Sequence, residues 1–522
     1  MLTILDTTKF QPIKSEVVII SVPHCEPYPM VAPALLSACL NSAGIVSQGI
    51  DFSAIFIDNF GKEDWFVKFK TFITFGHMSE FDLTLAEFKT IYKFTKKFFT
   101  EIKTLYNPTY IGLSIFSTDS LDFGIFISYI LKKHFPEIKI IAGGKGLEVT
   151  HQNQEKHYDI WYRHGIADTI VIGDAETEVI NSIKYNKTGL VFAPKQKKED
   201  LDNIPLADWN RYDLSIYDRI SDCIDRGDNS KQEIYIAVTA SKGCVRQCTF
   251  CDVAEFWPDY IYRDPVKVAN EIIHNYQHTK IKDFVFTDNL INGSIKNFRI
   301  MNEVLIEKIP NTIRYGGYAI FRGKNQMPEQ DFELAARAGC WRWTIGVESG
   351  SEKIRNEMRK KFSNDDIDWT VEMLVKNNIT QSWLFMVGYP SETEEDFNET
   401  KNLLKQYHYL GKKGMIKIGI TPTFSLTNNS PLLNNLDMAS DYGLIHNLTN
   451  TESSTKFWTS TKYIDNTYPV RSRRWKEFIA LCKNLGYTFH FNMSIEKFSK
   501  EIELLDALYE QTKNKIIPIY KS

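Results

Sequence analysis

The chain has 522 residues, 43% hydrophobic and 24% charged, with a formal net charge of −3. That is enough chain for roughly two to four domains with sizeable cores, and the composition is that of a folded protein. The near-neutral charge argues against wholesale attraction to nucleic acid, no apolar run of about eighteen residues suggests a membrane span, and eight cysteines in this length do not make a secreted disulfide scaffold.

The first ~190 residues alternate strand and helix patterns. Val17 to Val22 is a short apolar run of the kind found in buried parallel strands. Pro33 to Gly44 reads as a helix with proline near its start and glycine at its end. Ile45 to Ile50, Tyr110 to Ile115, Ile138 to Ala142 and Thr169 to Ile172 read as further strands, with a helix over Asp122 to His134. Trp65 to Leu105, rich in Phe, Lys and Glu at helical spacing, reads as a helical insertion. This alternation predicts a doubly wound, Rossmann-like α/β domain over 1–194, with ligands beyond the carboxyl ends of its strands. Small residues gather at those ends: Ser114 to Thr118, Gly143-Gly144 and Gly173-Asp174-Ala175-Glu176.

Residues 195–232 read as a linker with turn formers such as Asn203 and Pro205; Arg226 to Lys231 is its polar surface stretch. Over 233–438, six strand-like runs alternate with helices: Ile234 to Thr239, Asp283 to Thr287, Ile313 to Ala319, Trp343 to Val347, Trp383 to Val387 and Ile416 to Thr421. They predict a partial (βα)6 barrel, whose site gathers where strands end. Asp264-Pro265 and Ser391 to Glu394 look like helix starts. Residues 439–522 read as a small, mostly helical region and a candidate substrate lid, with helices over Trp475 to Leu485 and Ile495 to Leu508; Arg471-Ser472-Arg473-Arg474 reads as a solvated basic face.

Just after the first barrel strand stand Cys244, Cys248 and Cys251, spaced CxxxCxxC. Three thiolates can hold three irons of a [4Fe–4S] cube and leave the fourth iron open. A structural zinc site usually takes four ligands, but there is no second CxxC and the nearest following histidine is His274. Ser241-Lys242-Gly243-Cys244-Val245-Arg246-Gln247-Cys248-Thr249-Phe250-Cys251 resembles the cluster loop of the radical S-adenosylmethionine (SAM) superfamily. Three further strand ends resemble that family's SAM-binding segments: Asp288-Asn289, Glu348-Ser349-Gly350-Ser351 and Gly388-Tyr389-Pro390.

The resemblance implies that Cys244, Cys248 and Cys251 ligate the cluster. It places Asp288 and Asn289 beside the SAM methionine moiety, Glu348 with Ser349 and Gly350 at its ribose or amino group, and Phe250, Gly388, Tyr389 and Pro390 near its adenine. Arg322 could pair with the SAM carboxylate. Lys360 fits a family position, and reads equally as a solvated helix-end lysine. The first domain resembles the cobalamin-binding domain that precedes many of these enzymes, through Pro23, Pro29, Pro33, Gly112-Leu113-Ser114, Ala142-Gly143-Gly144 and Gly173 to Glu176. That implies cobalamin contacts at Ser114, Thr118, Gly143, Gly144, Gly173, Asp174 and Glu176. One departure stands out: the axial-histidine pattern Asp-x-His-x-x-Gly is missing, and His24-Cys25-Glu26 follows the first strand instead.

The resemblance therefore implies a cobalamin-dependent radical SAM enzyme that methylates an unactivated carbon or phosphorus centre through a 5′-deoxyadenosyl radical and methylcobalamin. Cyclisation or rearrangement without methyl transfer is a second enzymatic reading, and a non-catalytic iron–sulfur electron-transfer or sensing protein a third. The expected partners are a small-molecule or peptide substrate and an external one-electron reductant such as flavodoxin or ferredoxin. The N-terminus lacks a basic stretch leading into a long apolar run, so it does not read as a signal peptide and a cytoplasmic location is expected.

Overall fold

The strand Val17–Ser21 (β1) is buried at every position, which suits a β-branched run inside a parallel sheet covered on both faces. It lies between Ser47–Ile50 (β2) and Tyr110–Ser114 (β3), followed by Lys139–Gly143 (β4), Thr169–Ile172 (β5) and Gly189–Phe192 (β6). The sheet order is β2-β1-β3-β4-β5-β6 and all its pairs are parallel. The computed structural model describes residues 4–5, 12–23, 29–66, 84–149, 155–209, 212–220, 234–421, 423–427, 429–445, 455–490 and 495–512. His24, Cys25, Glu26 and the polar stretch 226–231 lie outside the described residues, as does part of the expected helical insertion.

The contacts divide the chain into two compact units, the first built on residues up to 225 and the second on residues from 238 onward. One face of the first sheet carries an aromatic core. Phe52 and Phe56 from the helix Phe52–Phe60 meet Phe98 and Phe99 from the helix Leu85–Tyr106, with the Phe52 and Phe98 rings 4.2 Å apart. Residues 212–220, read from the sequence as linker, are docked in this unit: Tyr217 donates a short hydrogen bond to the buried carboxylate of Asp51, and Arg219 is paired with Asp58. Asp51 also accepts from Ser21 Oγ at 2.6 Å and from Ala54 N at 3.0 Å.

A second, seven-stranded sheet is built mostly from residues of the second unit. Its strands are Tyr235–Val238 (β7), Asp283–Phe286 (β8), Arg314–Ala319 (β9), Cys340–Glu348 (β10), Thr380–Phe385 (β11), Ile416–Ile420 (β12) and Thr488–Phe489 (β13). They run in sequence order across the sheet, and the pairs from β8 to β13 are parallel. Six of the seven are the expected barrel strands. The seventh comes from the C-terminal region and pairs beside β12.

The helix Tyr468–Leu485 begins before Trp475 and packs on the helix Glu394–Gln406. The sequence reading of Arg471 to Arg474 as a solvated face fails at two positions. Arg471 and Arg474 are buried, and only the Arg473 guanidinium is substantially exposed. The expected cap at Ser391 is also displaced: Thr393 and Asp396 form the capping box, while the Ser391 hydroxyl bonds Glu357. Ser351 stands at an N-cap position, but its hydroxyl donates to Asp396. Among the described residues no helix is long and apolar enough to cross a membrane.

Phe52 is fully buried. Phe52→Ala is expected to lower the unfolding free energy of the first unit by about 3–5 kcal/mol. Urea denaturation followed by tryptophan fluorescence checks this, and an unchanged midpoint contradicts it.

Candidate functional site

The cysteine loop leaves the carboxyl end of β7 and is closed at its base by a two-residue antiparallel ribbon, Ser241 against Tyr262 and Lys242 against Ile261. Asp288, just past β8, fastens this base. Its two carboxylate oxygens accept from Ser241 Oγ at 2.5 Å and from Ala240 N at 2.9 Å. Arg263 closes the other side, donating to Thr239 O at 2.8 Å while paired with the buried Glu271.

Three further contacts hold the loop's middle. Thr249 N donates to Met358 O, Leu432 N donates to Thr249 O, and the Thr249 hydroxyl lies 2.9 Å from the Tyr389 hydroxyl. Arg246 Nη2 reaches Lys361 O at 3.2 Å. The loop's place thus rests on buried polar contacts with the chain past β8, β10 and β11. Thr249 carried no sequence signal beyond its place between the cysteines.

Burial raises the pKa of all three thiols, and that of Cys251 to about 12. Lys360 opposes the rise at Cys244 and Cys248, and Arg246 and Arg322 oppose it at Cys244. Three half-buried or buried thiols facing cations, with one backbone N–H on Cys244 Sγ at 3.3 Å, form a donor set suited to a cationic cluster that takes thiolates. Among the described residues no three His, Cys, Asp or Glu side chains gather as they would around one metal ion. A cube needs no such gathering, because each thiolate binds its own iron.

Glu348 ends β10 with φ +67° and is buried, its Oε1 2.9 Å from Lys360 Nζ. Lys360 is itself buried, which overturns the solvated reading of that residue. Its ammonium lies 5.9 Å from the Phe250 ring centroid, and Phe250 is half-buried against the cluster of Ile354, Met358 and Tyr389. Arg322, past β9, donates to Asn292 O and Gly293 O at 3.0 Å and lies near enough to Cys244 for their charges to interact. Asn289 is half-buried beside Asp288. Glu348, Lys360 and Arg322 gather around the cysteine loop.

Ser349 and Gly350 turn away from it and pack against the helix Glu394–Gln406: Gly350 N donates to Thr400 Oγ1 at 2.9 Å, and Arg355 holds both their carbonyls. Past β11, Gly388 has φ +91°, and a Cβ there would come within 2.2 Å of Arg471. Arg471 lies across this turn, its guanidinium 3.8 Å from the Trp458 ring centroid. Asn466 holds the carbonyls of Tyr389 and Pro390, and Arg474 pairs with the buried Glu392, which accepts from Gly388 N. The C-terminal region therefore builds the floor of the Gly388–Pro390 turn.

In the first unit, Ser21, Ser114 and Gly143 are register partners in one row at the carboxyl ends of β1, β3 and β4. The chain reverses direction across the sheet between β1 and β3, the switch point where doubly wound folds bind ligands. Gly144 has φ +118°, and a Cβ there would sit 2.3 Å from Ile115 O, so no other residue fits this turn unstrained. Gly173 N donates to Glu148 at 3.0 Å, and Glu148 pairs with Lys145. Thr118 opens a short 3-10 turn, Asp174 precedes the helix Ala175–Lys184 without capping it, and Glu176 accepts from Gln196. The strand ends thus form a cradle of small residues and backbone groups.

Residues 238–404 match the radical SAM superfamily. Solved structures similar to the chain include cobalamin-dependent radical SAM enzymes. One such neighbour is the radical S-adenosylmethionine methyltransferase TsrM from Kitasatospora setae, solved with cobalamin and a [4Fe–4S] cluster; it shares 15% identity and a TM-score of 0.59 over 88% of this chain and 85% of that one. The cytidylyl-2-hydroxyethylphosphonate methyltransferase of Streptomyces wedmorensis is 26% identical over 48% of this chain and 47% of its own. The anaerobic magnesium-protoporphyrin IX monomethyl ester cyclase of Synechocystis sp. is 24% identical over 57% of this chain and 58% of its own. The chain spans about half the length of the curated relatives it matches.

Burial raises the Asp288 pKa from 3.8 to about 7, outweighing the donors that favour its ionised form. Between those values the folded protein keeps a proton that the unfolded chain releases. Its stabilisation is complete below pH 3.8 and is lost as pH rises through about 7. Asp288→Asn is expected to flatten the fall in unfolding free energy across that window by about 1.4 kcal/mol per pH unit. Urea unfolding at stepped pH measures this, and an unaltered slope contradicts it.

Proposed function

We propose that this protein is a cobalamin-dependent radical SAM enzyme that transfers a methyl group to an unactivated carbon or phosphorus centre. The observation that carries the reading is the cysteine loop fastened to strand ends of a parallel barrel, with Glu348, Lys360 and Arg322 gathered around it. Cys244, Cys248 and Cys251 would hold the cluster. Glu348 and Arg322 would bind the polar groups of SAM, with Asn289 beside them; Phe250 and the Gly388–Pro390 turn would wall its adenine. A bound cluster supplies the electron that splits SAM, and an external one-electron reductant must replace that electron.

Asp288 keeps the loop in place through its base, a positioning task rather than a contact with SAM. In the first unit, the Ser114–Thr118, Gly143–Gly144 and Gly173–Glu176 turns would hold cobalamin, which supplies a methyl carrier. The row of Ser21, Ser114 and Gly143 at the switch point of the doubly wound sheet supports this. The substrate is read as a small molecule or peptide. Cyclisation without methyl transfer is the second reading, favoured by the longer match to the cyclase.

Anaerobic reconstitution is expected to give about four irons per chain, reductant-dependent formation of 5′-deoxyadenosine, and a cobalamin absorption spectrum on loading. Cys248→Ala is expected to abolish SAM cleavage. A variant that still cleaves SAM sinks the reading, and substrate conversion without incorporation of label from methyl-labelled SAM moves it to cyclisation.

A further inference from the structure

The ion pair between Lys360 and Glu348 has features that a surface pair lacks. Both side chains are about nine-tenths buried. The pair lies over Gly346, where a Cβ would come within 2.2 Å of Glu348 Oε1 and 2.8 Å of Lys360 Nζ. The backbone is bent to make it: Glu348, Arg359 and Lys361 have φ of 67°, 61° and 55°. Asparagine adopts this left-handed conformation readily, whereas these three residue types do so only when their surroundings hold them there. Glu348 also sits at an irregularity in the pairing of β10 with β11, which re-aims its side chain.

The same segment grips the cysteine loop. Met358 O accepts from Thr249 N, Lys361 O accepts from Arg246 Nη2, and the Lys360 ammonium lies against the Phe250 ring. Burial works against the Lys360 charge, but Glu348 and the thiols of Cys248 and Cys251 raise its pKa overall. Four consecutive residues therefore connect the loop that carries the thiols to the carboxylate at the end of β10. A buried charge without its partner is costly, so each member of the pair holds the other.

We propose that Lys360 is a positioning residue with two effects: it holds Glu348 in its SAM-binding orientation, and its positive charge beside the cysteine loop favours the added electron on a bound cluster. The inference rests on the proposed function and deepens it by assigning a coupling between SAM affinity and cluster reduction to one side chain.

The test uses the full chain, reconstituted anaerobically, with Lys360→Met, Lys360→Arg, Glu348→Gln and the double variant Glu348→Gln with Lys360→Met. Iron content and melting temperature are measured first, then the SAM dissociation constant and the reduction midpoint by spin-resonance titration. Lys360→Met is expected to keep its iron, to bind SAM about tenfold more weakly, and to lose about tenfold in reduced fraction at fixed potential, a shift of about 59 mV for one electron. Lys360→Arg keeps the charge and is expected to keep the midpoint. The double variant is expected to bind SAM no more weakly than the worse single one, because the two residues act as a unit.

Wild-type SAM affinity and midpoint in Lys360→Met overturn the inference while leaving the proposed function standing. So does loss of iron in both Lys360→Met and Lys360→Arg, which makes Lys360 a residue of the fold. A wild-type protein that takes up no cluster overturns both readings together.

Discussion

One constraint governs this structure: a loop carrying three thiols has no core of its own and must be held by buried hydrogen bonds. Asp288 supplies two of these at the loop's base, and Thr249 supplies those at its centre. Buried polar groups that find all their partners rigidify a structure, and the same groups left unpaired are costly. The barrel strands end where these partners are needed, so the sheet's register sets the loop's position. The upward shift of the three thiol pKa values has a consequence for loading: uptake of a cluster must release protons, which links metal binding to pH.

The two units use one device in different forms. Each is a parallel sheet whose carboxyl ends carry short turns of small or polar residues. In the first, those turns are rich in glycine and serine packed closely against neighbouring backbone. In the second they present the charged side chains of Glu348, Lys360 and Arg322 beside the thiols. The buried arginines of the helix Tyr468–Leu485 add a third layer under the Gly388–Pro390 turn, so the C-terminal region takes part in building that strand end.

Much of this was legible in the sequence, for physical reasons. Buried parallel strands read as short apolar runs, and eleven of the thirteen strands described in the two large sheets overlap strand-like runs of the sequence. The two strands of these sheets that were missed, Gly189–Phe192 and Thr488–Phe489, are short, as are the two-residue strands of the antiparallel ribbons. The cysteine spacing was legible because the chemistry of a cube demands it. What could not be read was direction. Arg471 and Arg474 look like solvated charges until a helix packs them against Trp458 and Glu392. Asp288 at a strand end does not announce that both its oxygens belong to the loop before it. Lys360 could not be told from a surface lysine, because its burial depends on two left-handed residues that no local pattern predicts.

The most direct test of the central claim is Mössbauer spectroscopy of protein reconstituted with iron-57, with and without SAM. Three protein thiolates leave one iron of the cube open, so SAM is expected to shift the signal of one iron in four and leave the other three unchanged. Four equivalent irons that ignore SAM would contradict the account.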